Sequence, residues 1–486
     1  MTHDLTALFD PKGIIITGVS NHPGKFGFVT LHNLLASGYE GDIFPVGREP
    51  GEVLGRPVLG SIDEVPDGRA DMVFICTPQA VNEDLLRAAA AKGVTAAFFA
   101  AAGYREAGPE GAEAERRLVT LADELGVAVA GPNGQGVVST PSKMCAQIVA
   151  PYAPAGHIAV ASQSGNFVSS FLNLAHHTGV GISRAVAAGN AAVLGIADYV
   201  EWFADDPETS VCLVYMESVD NGRETYERLR AVAERKPIVV VKGGASDAGA
   251  RAAASHTGAL ASDDAVFDGM CRQAGLIRAR DVEEAFEVAA TLATQPLPSG
   301  PRVVVVTTVG GWGVAAVDAM SGTRLVAVPL PDDLHAAIDE KLPPRWSRNN
   351  PIDMAGGETR DTVPEILELA ASHPDVDAVL FLGLGIQSNT AAMMRDGGFH
   401  PDHGLERIVD FHERQDTRYA EAAGEIATRT GTPVLMATEL ANARPDNAGP
   451  AAARAAGLMC HASAGRAIRS LDLMVRHAQW RRARGL

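Results

Sequence analysis

Short apolar runs, separated by glycine turns and helical segments, repeat along the chain. In the first third, five runs have the length and composition of strands, at residues 13–18, 41–46, 71–76, 95–101 and 127–131. The intervening stretch NEDLLRAAAAKG has the apolar spacing of an amphipathic helix. Strand, glycine turn and helix in regular alternation predict a doubly wound parallel sheet.

The same alternation occurs twice more. A passage containing Pro and Gly, residues 140–156, ends the first series, and TQPLPSGP at 294–301 precedes the third. The second series contains HIAVAS, GISRAVAA, VCLVYME and PIVVVKGG, and the third contains RVVVVTTVGGWG, DAVLFLG and PVLMAT. Because 486 residues exceed what one hydrophobic core normally supports, we expect three α/β units, without obvious sequence repeats among them.

Composition and charge narrow the class of protein. Hydrophobic residues make up 46% and charged residues 21% of the chain, as in a globular α/β protein. A net charge of -18 argues against a nucleic-acid partner. The N-terminus lacks a secretory pattern and no apolar run could span a bilayer, so a cytoplasmic protein without a membrane partner is expected. Five cysteines without paired spacing predict neither disulfides nor a metal site.

The first strand leads into the glycine-rich stretch ITGVSNHPGKFGF, residues 16–28. Such a turn lets backbone amides and a helix N-terminus approach a phosphate, and Lys25 adds a positive charge. The dinucleotide pattern GxGxxG is not met after Gly18, and the second strand is followed by Arg48 where a nicotinamide cofactor needs an acidic residue. NAD is therefore disfavoured, whereas a cation suits a ligand with extra phosphates such as coenzyme A. The alternative is a glycine turn that only closes the fold.

A second strand-to-helix turn reads ASQSGNFVSS, residues 161–170. Ser164, Gly165 and Asn166 surround the predicted helix start with hydrogen-bond donors and leave its amides approachable by an anion. In addition, Glu217 ends the apolar strand VCLVYM, which places a carboxylate at the ligand-binding edge of an open sheet. Taken alone, Glu217 could equally be a surface residue.

His256 stands in RAAASHTGALAS, a run of small and mostly uncharged residues at 251–262. An isolated histidine is more often a satisfied loop residue than a catalytic one, and this stretch by itself leaves both interpretations open.

Taken in order, these motifs resemble those of the NDP-forming acyl-CoA synthetases, relatives of the succinyl-CoA synthetase α subunit. The resemblance rests on GVSNHPGKFG, GPNGQG, SQSG, the ME that ends at Glu217, KPIVVVKGG, SHTGALASDDAVF and NPID. It runs over nearly the whole chain. The resemblance implies a Rossmann-like CoA-binding domain at 1–140 and two flavodoxin-like ligase domains, at 152–295 and 300–478.

The resemblance also assigns roles to residues. His256 matches the histidine that carries the phosphoryl group, and Glu217 matches the glutamate that hydrogen-bonds one of its ring nitrogens. Ser164, Gly165 and Asn166 would hold the phosphate of the phosphohistidine. The residues that match the CoA loop and the GPN turn are Gly18, Ser20, Lys25, Gly27 and Asn133.

Some positions depart from the family pattern. After GPN the family usually has Cys-Leu or Cys-Pro, where this chain has Gly134 and Gln135, and after the second strand VNP is replaced by VGR. Both departures lie around the predicted CoA and acyl sites, so the carboxylic acid stays open. Trp312 also differs from the proline of many relatives, and the insertion at 393–407 is interpreted as a loop.

Nothing in the sequence resembles an ATP-grasp domain or the phosphate loop GxxxxGK[ST]. The resemblance therefore implies that ATP or GTP, with Mg, binds to a separate ATP-grasp β-type subunit. The expected reaction converts a carboxylic acid, CoA and NTP reversibly into acyl-CoA, NDP and phosphate. One alternative is a CoA-binding regulatory subunit without catalysis, against which His256 and Glu217 argue. Another is a nicotinamide-dependent oxidoreductase, against which the missing acidic residue argues.

Overall fold

The computed structural model describes residues 4–49, 51–149, 151–219, 221–246, 248–249, 251, 263–354, 356 and 361–486. Within these ranges, no helix combines the length and apolar character needed to cross a membrane.

The first sheet has five parallel strands in the order β2-β1-β5-β6-β7, beside a short β3–β4 hairpin. The strands are β1 Gly13–Thr17, β2 Asp42–Val46, β3 Gly51–Val53, β4 Arg56–Val58, β5 Met72–Ile75, β6 Ala96–Phe99 and β7 Ala128–Ala130. The accompanying helices are α1 Thr6–Phe9, α2 Phe26–Ala36, α3 Asn82–Ala91 and α4 Pro109–Leu125. All five parallel strands match apolar runs predicted from the sequence.

Local sequence accounts for these elements. Ile14, Ile15 and Ile16 are fully buried, because strands of a parallel sheet are covered on both faces and therefore read as continuous apolar runs. Helix α4 begins with Pro109, whose missing N–H costs nothing at the first helical position, and ends at Gly126 in the left-handed conformation with φ 66°.

The second sheet has the order β14-β13-β12-β10-β11-β8-β9. Its strands are β8 Gly136–Ser139, β9 Met144–Gln147, β10 Ala155–Ser162, β11 Ile182–Ala187, β12 Val211–Met216, β13 Ile238–Lys242 and β14 Ile277–Ala279. The helices that follow its strands are α5 Gly165–Thr178, α6 Ile196–Asp205, α7 Gly222–Ala233, α8 Asp264–Ala274 and α9 Val282–Thr294. Strands β10 to β14 are parallel, while β8 and β9 form an antiparallel hairpin at the edge beside β11.

This hairpin differs from the sequence interpretation of residues 140–156 as a break between units. Strand β9 lies inside that passage, and β10 begins within it. The hairpin turn includes Lys143 in the left-handed conformation with φ 53°. Strands of four residues leave too short a pattern to be recognised, and their stability comes from pairing with β11, which is distant in sequence.

The third sheet has the order β16-β15-β18-β19-β20, with β17 paired to the end of β15. Its strands are β15 Arg302–Thr307, β16 Val326–Ala327, β17 Ile352–Asp353, β18 Ala378–Leu382, β19 Val434–Ala437 and β20 Cys460–His461. Its helices are α10 Gly310–Met320, α11 Asp332–Asp339, α12 Thr362–Ser372, α13 Ile386–Asp396, α14 Leu405–Thr430, α15 Leu440–Ala443, α16 Ala448–Ala455 and α17 Ala464–Arg482.

The insertion at 393–407 is only partly a loop, contrary to the sequence interpretation. Helix α13 continues to Asp396 and helix α14 begins at Leu405, so eight residues, 397–404, connect them. Gly397 caps the first helix, and Gly404, with φ 78°, precedes the second. The glycines and proline of this segment suggested a longer loop than the helices allow.

The chain divides into two compact units. One consists of Met1–His176 with Gly181–Ala285 and contains the first two sheets. The other consists of His177–Val180 with Phe286–Leu486 and contains the third sheet. The domain limits expected from the resemblance stay predictions.

All three sheets share one strand order, although their sequences show no obvious repeat. In the first two sheets the first parallel strand lies between the second and the third, the flavodoxin-like order 2-1-3-4-5, and the third sheet has the same order when the two-residue strand β17 is left aside. A turn is also repeated: Ser162 Oγ accepts from Ser164 N and donates to Ser164 O, and Thr307 Oγ1 bonds Val309 N and O in the same way. Ligands of such folds bind beyond the carboxyl ends of the strands, beside the point where the strand order reverses.

Candidate functional site

The loop between β1 and α2 brings backbone amides close to the first switch point. Gly18 has φ 71°, a conformation that favours glycine. A Cβ at Gly27 would lie 2.6 Å from the carbonyl oxygen of Gly18, so the helix start packs directly on the loop backbone. Lys25 is the N-cap of α2 in extended conformation, and no side chain caps this helix start. The amides of the first turn are therefore available to an anion.

Ser20 and Arg48 lie at the same edge of the first sheet. Val19 N donates to Val46 O at 3.0 Å, which joins the loop after β1 to the end of β2, and the exposed Arg48 follows two residues later. Ser20 Oγ accepts a long hydrogen bond of 3.4 Å from the backbone N–H of His22. The backbone before Arg48 thus lies beside the loop of Gly18 and Ser20, and a role of the Arg48 side chain in ligand binding stays a prediction.

Asn133 lies away from this loop, on the turn after β7. The turn contains a cis peptide before Pro132, and Asn133 has φ 61°. Strand β7 is three strands from β1, a distance of about 14 Å at about 4.8 Å per strand. One ligand could contact both the loop and Asn133 only if it were long.

Asn133 contacts a polar network that includes the buried side chains of Asn190 and Glu115. Asn133 Nδ2 approaches Asn190 Oδ1 at 3.4 Å, and Asn190 Nδ2 donates to Glu106 Oε2 at 2.6 Å and Glu115 Oε2 at 2.8 Å. Burial alone would raise the pKa of Glu106, but hydrogen bonds from Asn190 and from backbone amides outweigh burial and lower it. Sequence reasoning missed Asn190, whose only signal was its place after an apolar strand.

The turn Ser164–Asn166 lies at the switch point of the second sheet. Ser162 is fully buried and bonds Ser164, and α5 begins at Gly165, so Ser164, Gly165 and Asn166 occupy the helix start. The side chain of Gln135 fills the space that a Cβ at Gly165 would need. The sequence therefore located this helix start correctly, but not its neighbour.

Gln135 connects this helix start to the turn that carries Asn133. Its Nε2 donates to Asn166 Oδ1 at 2.9 Å. Gly134 next to it has no room for a side chain, since a Cβ there would collide with Ala187 O and lie 2.6 Å from the ring of Phe98. Gln135, noticed in the sequence as a departure from the family pattern, thus lies between the two predicted ligand sites.

Glu217 follows β12, which pairs with β10, and therefore lies at the same switch point as Ser164. Gln163 Oε1 accepts from Glu217 N at 2.6 Å and from Ser218 N at 3.1 Å. The hydroxyl of Tyr215 donates to Glu217 Oε1 at 3.1 Å. Gln163 and Tyr215 are contacts of Glu217 that sequence reasoning missed, because they depend on strand neighbours.

His256 lies outside the described residues. Its position relative to Glu217 and the α5 helix start stays a prediction.

Comparison with known proteins identifies the three parts of the chain. Residues 12–140 match the family described as CoA binding domain, residues 155–292 match succinyl-CoA ligase like flavodoxin domain, and residues 303–394 match Ligase-CoA domain.

Relatives with curated names are ADP-forming ligases. The chain is 37% identical to acetate–CoA ligase [ADP-forming] I subunit alpha of Pyrococcus furiosus, over 78% of this chain and 82% of that protein. It is 35% identical to acetate–CoA ligase [ADP-forming] I of Archaeoglobus fulgidus, over 77% of this chain but 54% of that longer protein. A solved structure of acetyl-coenzyme A synthetase 1 from Candidatus Korarchaeum cryptofilum, in complex with phosphate and ADP, has a TM-score of 0.85 at 28% identity and covers 99% of each chain.

The order of these three domains, together with the named relatives, identifies an acid–thiol ligase of the succinyl-CoA ligase type. The chain belongs to the ADP-forming acyl-CoA synthetases. Two relatives from Pyrococcus furiosus are named α subunits of such enzymes. These relatives favour a ligase over both the regulatory subunit and the oxidoreductase considered from the sequence.

Proposed function

We propose that this chain makes acyl-CoA from a carboxylic acid, CoA and NTP, reversibly, through an acyl phosphate and a phosphohistidine at His256. The main observation behind the proposal is that Glu217 and the Ser164–Asn166 helix start lie at the same switch point. Gln163, the residue before Ser164, links them through hydrogen bonds from the backbone of Glu217 and Ser218. A carboxylate beside an anion-binding helix start suits a phosphorylated imidazole, since one stabilises the ring and the other its phosphate.

CoA is assigned to the first sheet. The uncapped start of α2, with Lys25 and Arg48 beside it, fits the phosphates of this ligand, and Asn133 fits its distant thiol end. Because Gln135 joins the turn of Asn133 to Asn166, the thiol end would arrive close to the phosphate site.

In the direction of acyl-CoA cleavage, a phosphate oxygen attacks the thioester carbonyl. The C–S bond breaks, and the thiolate takes up the proton that the attacking phosphate loses and leaves as CoA. A ring nitrogen of His256 then attacks the phosphorus of the acyl phosphate, and the carboxylic acid departs as its carboxylate. Ser164, Gly165 and Asn166 bind the phosphate during both transfers, and Glu217 stabilises the positive charge that develops on the imidazole.

A separate ATP-grasp subunit would supply the nucleotide site, with ATP or GTP and Mg. Support comes from relatives that are named α subunits. The purified chain should bind CoA yet make no acyl-CoA from free acid and ATP. ATP-dependent synthesis by a homogeneous preparation of this chain would disprove the division of labour.

The phosphohistidine can be tested without the partner. The chain is incubated with ³²P-labelled phosphate and a panel of acyl-CoAs with short, branched, aryl and dicarboxylic acyl groups. At least one should give label that is stable in base and lost in acid, and His256→Ala should give none while it binds CoA normally by calorimetry. Labelling of His256→Ala equal to that of the natural chain, or no label with any acyl-CoA, would contradict the proposal.

A further inference from the structure

Tyr215 is the penultimate residue of β12 and has two distinct contacts. Its ring lies against Phe167, with centroids 4.3 Å apart and planes tilted by 48°. Its hydroxyl donates to Glu217 Oε1 at 3.1 Å, and only 7% of the residue is exposed. Burial, and secondarily the Glu217 carboxylate, raise the pKa of Tyr215, so the phenol stays protonated and remains a donor.

The neighbouring strand leaves room for this pair. Gly243 follows β13, and a Cβ there would collide with the hydroxyl of Tyr215 and lie 3.1 Å from Cγ of Glu217. Any larger residue at Gly243 would therefore displace the tyrosine, the glutamate or both. The absence of a side chain at Gly243 thus provides the space that the Tyr215 hydroxyl and the Glu217 side chain occupy.

The backbone of Glu217 is fixed independently. Gln163 Oε1 accepts from the N–H groups of Glu217 and Ser218, and Gln163 Nε2 donates to Ser218 O at 3.3 Å. Because Gln163 fixes the backbone of Glu217, the remaining freedom of this residue is rotation about its side-chain torsions. The hydrogen bond from the Tyr215 hydroxyl restrains that rotation.

We propose that Tyr215 is a positioning residue for phosphoryl transfer, and this inference rests on the function proposed above for Glu217 and His256. Its hydroxyl occupies Oε1 of Glu217 and leaves Oε2 to accept the N–H of the imidazole. Its ring contacts Phe167 in the first turn of α5, so the direction of the carboxylate is set relative to the helix start that binds the phosphate. A carboxylate free to rotate would orient the imidazole only part of the time.

The test separates the hydroxyl of Tyr215 from its ring. Tyr215→Phe removes the donor and keeps the packing on Phe167, whereas Tyr215→Leu removes both. The measurement is the rate of His256 labelling from ³²P-phosphate and the most active acyl-CoA of the panel, as a function of acyl-CoA concentration. Tyr215→Phe should leave the half-saturating concentration unchanged and lower the maximal rate by about tenfold, the smaller end of the loss typical when a hydrogen-bond partner that orients a metal ligand is removed.

A double-mutant cycle with Glu217→Gln completes the design. If the hydroxyl acts through the carboxylate, Tyr215→Phe combined with Glu217→Gln should be no slower than Glu217→Gln alone. Melting temperatures and calorimetric CoA binding show whether each variant is folded.

The outcomes distinguish the two levels of the proposal. If Glu217→Gln labels at the natural rate, the function proposed for Glu217 is wrong. If Glu217→Gln is labelled slowly while Tyr215→Phe is labelled as fast as the natural chain, the positioning role of the hydroxyl is wrong. A loss of labelling rate confined to Tyr215→Leu would then show that only the ring of Tyr215 matters. Additive effects in the double variant, or a changed half-saturating concentration in Tyr215→Phe, would also overturn the inference.

Discussion

Gly27→Ala tests whether the close approach of α2 to the loop after β1 serves CoA binding. A Cβ at this position would lie 2.6 Å from Gly18 O, 2.7 Å from Gly18 C and 2.9 Å from Val19 N. All three are backbone atoms, which cannot rotate away as a side chain can. The oxygen contact must widen to about 3.4 Å before it becomes ordinary van der Waals contact, so the loop and the helix start must separate by about 0.8 Å.

Two effects on the free energy of unfolding oppose each other. Replacing a helical glycine by alanine stabilises a helix by about 0.5–1 kcal/mol, and less than the full amount is expected at Gly27, the second residue of α2. Overpacking against backbone costs about 1–3 kcal/mol. Overpacking should therefore win, and the variant should melt slightly below the natural chain.

The effect on CoA should be larger. A displacement of about 0.8 Å lengthens a hydrogen bond of about 2.9 Å beyond hydrogen-bond range, and each bond to a charged phosphate is worth about 1.5–3 kcal/mol. Calorimetry should therefore show at least about a tenfold increase in Kd for CoA, since about 1.4 kcal/mol corresponds to a factor of ten. Gly24→Ala is the matched control, because a Cβ there meets only the side chain of His22, at 3.1 Å. Unchanged affinity in Gly27→Ala, or an equal loss in both variants, would refute the reasoning.

Two further predictions concern buried positions. Arg184→Met should lower the free energy of unfolding at pH 7 by about 3–5 kcal/mol in urea titrations, because it strands the buried carboxylate of Asp206. In the natural chain, burial would raise the pKa of Asp206, but hydrogen bonds from Arg184 and a threonine outweigh burial and lower it, so the pair stabilises the fold above an unfolded pKa of about 3.9. In the variant, Arg184 no longer opposes the effect of burial, so protonation of Asp206 should narrow the deficit as the pH falls from about 7 towards about 4. A deficit independent of pH would contradict this assignment. Gly134→Cys, which introduces the residue usual in the family, should reduce stability and CoA affinity together, because its Cβ would meet Ala187 O and the ring of Phe98; normal CoA binding by this variant would show that the turn can rearrange.

Much of the fold could be predicted from the sequence because its signals are local. Buried parallel strands read as continuous apolar runs, such as Ile14–Ile16, and glycine turns mark where each strand ends. The β8–β9 hairpin could not be predicted this way, since its short strands are stabilised by pairing with β11 rather than by their own pattern. The helical ends of the 393–407 insertion were missed because its central glycines and proline dominate the local signal.

Some features of the candidate site could also be predicted from the sequence, whereas others depend on contacts between distant segments. The proximity of Glu217 to Ser164 follows from two strand ends at one switch point, which strand order alone implies. The contact of Asn133 with Asn190, and that of Gln135 with Gly165, join segments whose relative placement no local pattern encodes. The roles expected for His256 and its partners come from the resemblance and stay predictions.

The pairing of the β8–β9 hairpin limits where the chain can be divided into stable fragments. The turn that carries Asn133 leaves the first sheet and continues at once into β8, which pairs with β11 in the second sheet along Ser139–Arg184, Val138–Ala185 and Val137–Val186. A fragment that ends at residue 140 would carry β8 without either neighbouring strand and would leave the remainder with an open sheet edge, the feature that leads to edge-to-edge aggregation. Recombinant fragments and chimaeras should therefore keep residues 1–285 together, and exchange of a CoA-binding module between relatives should include the hairpin and its β11 partner.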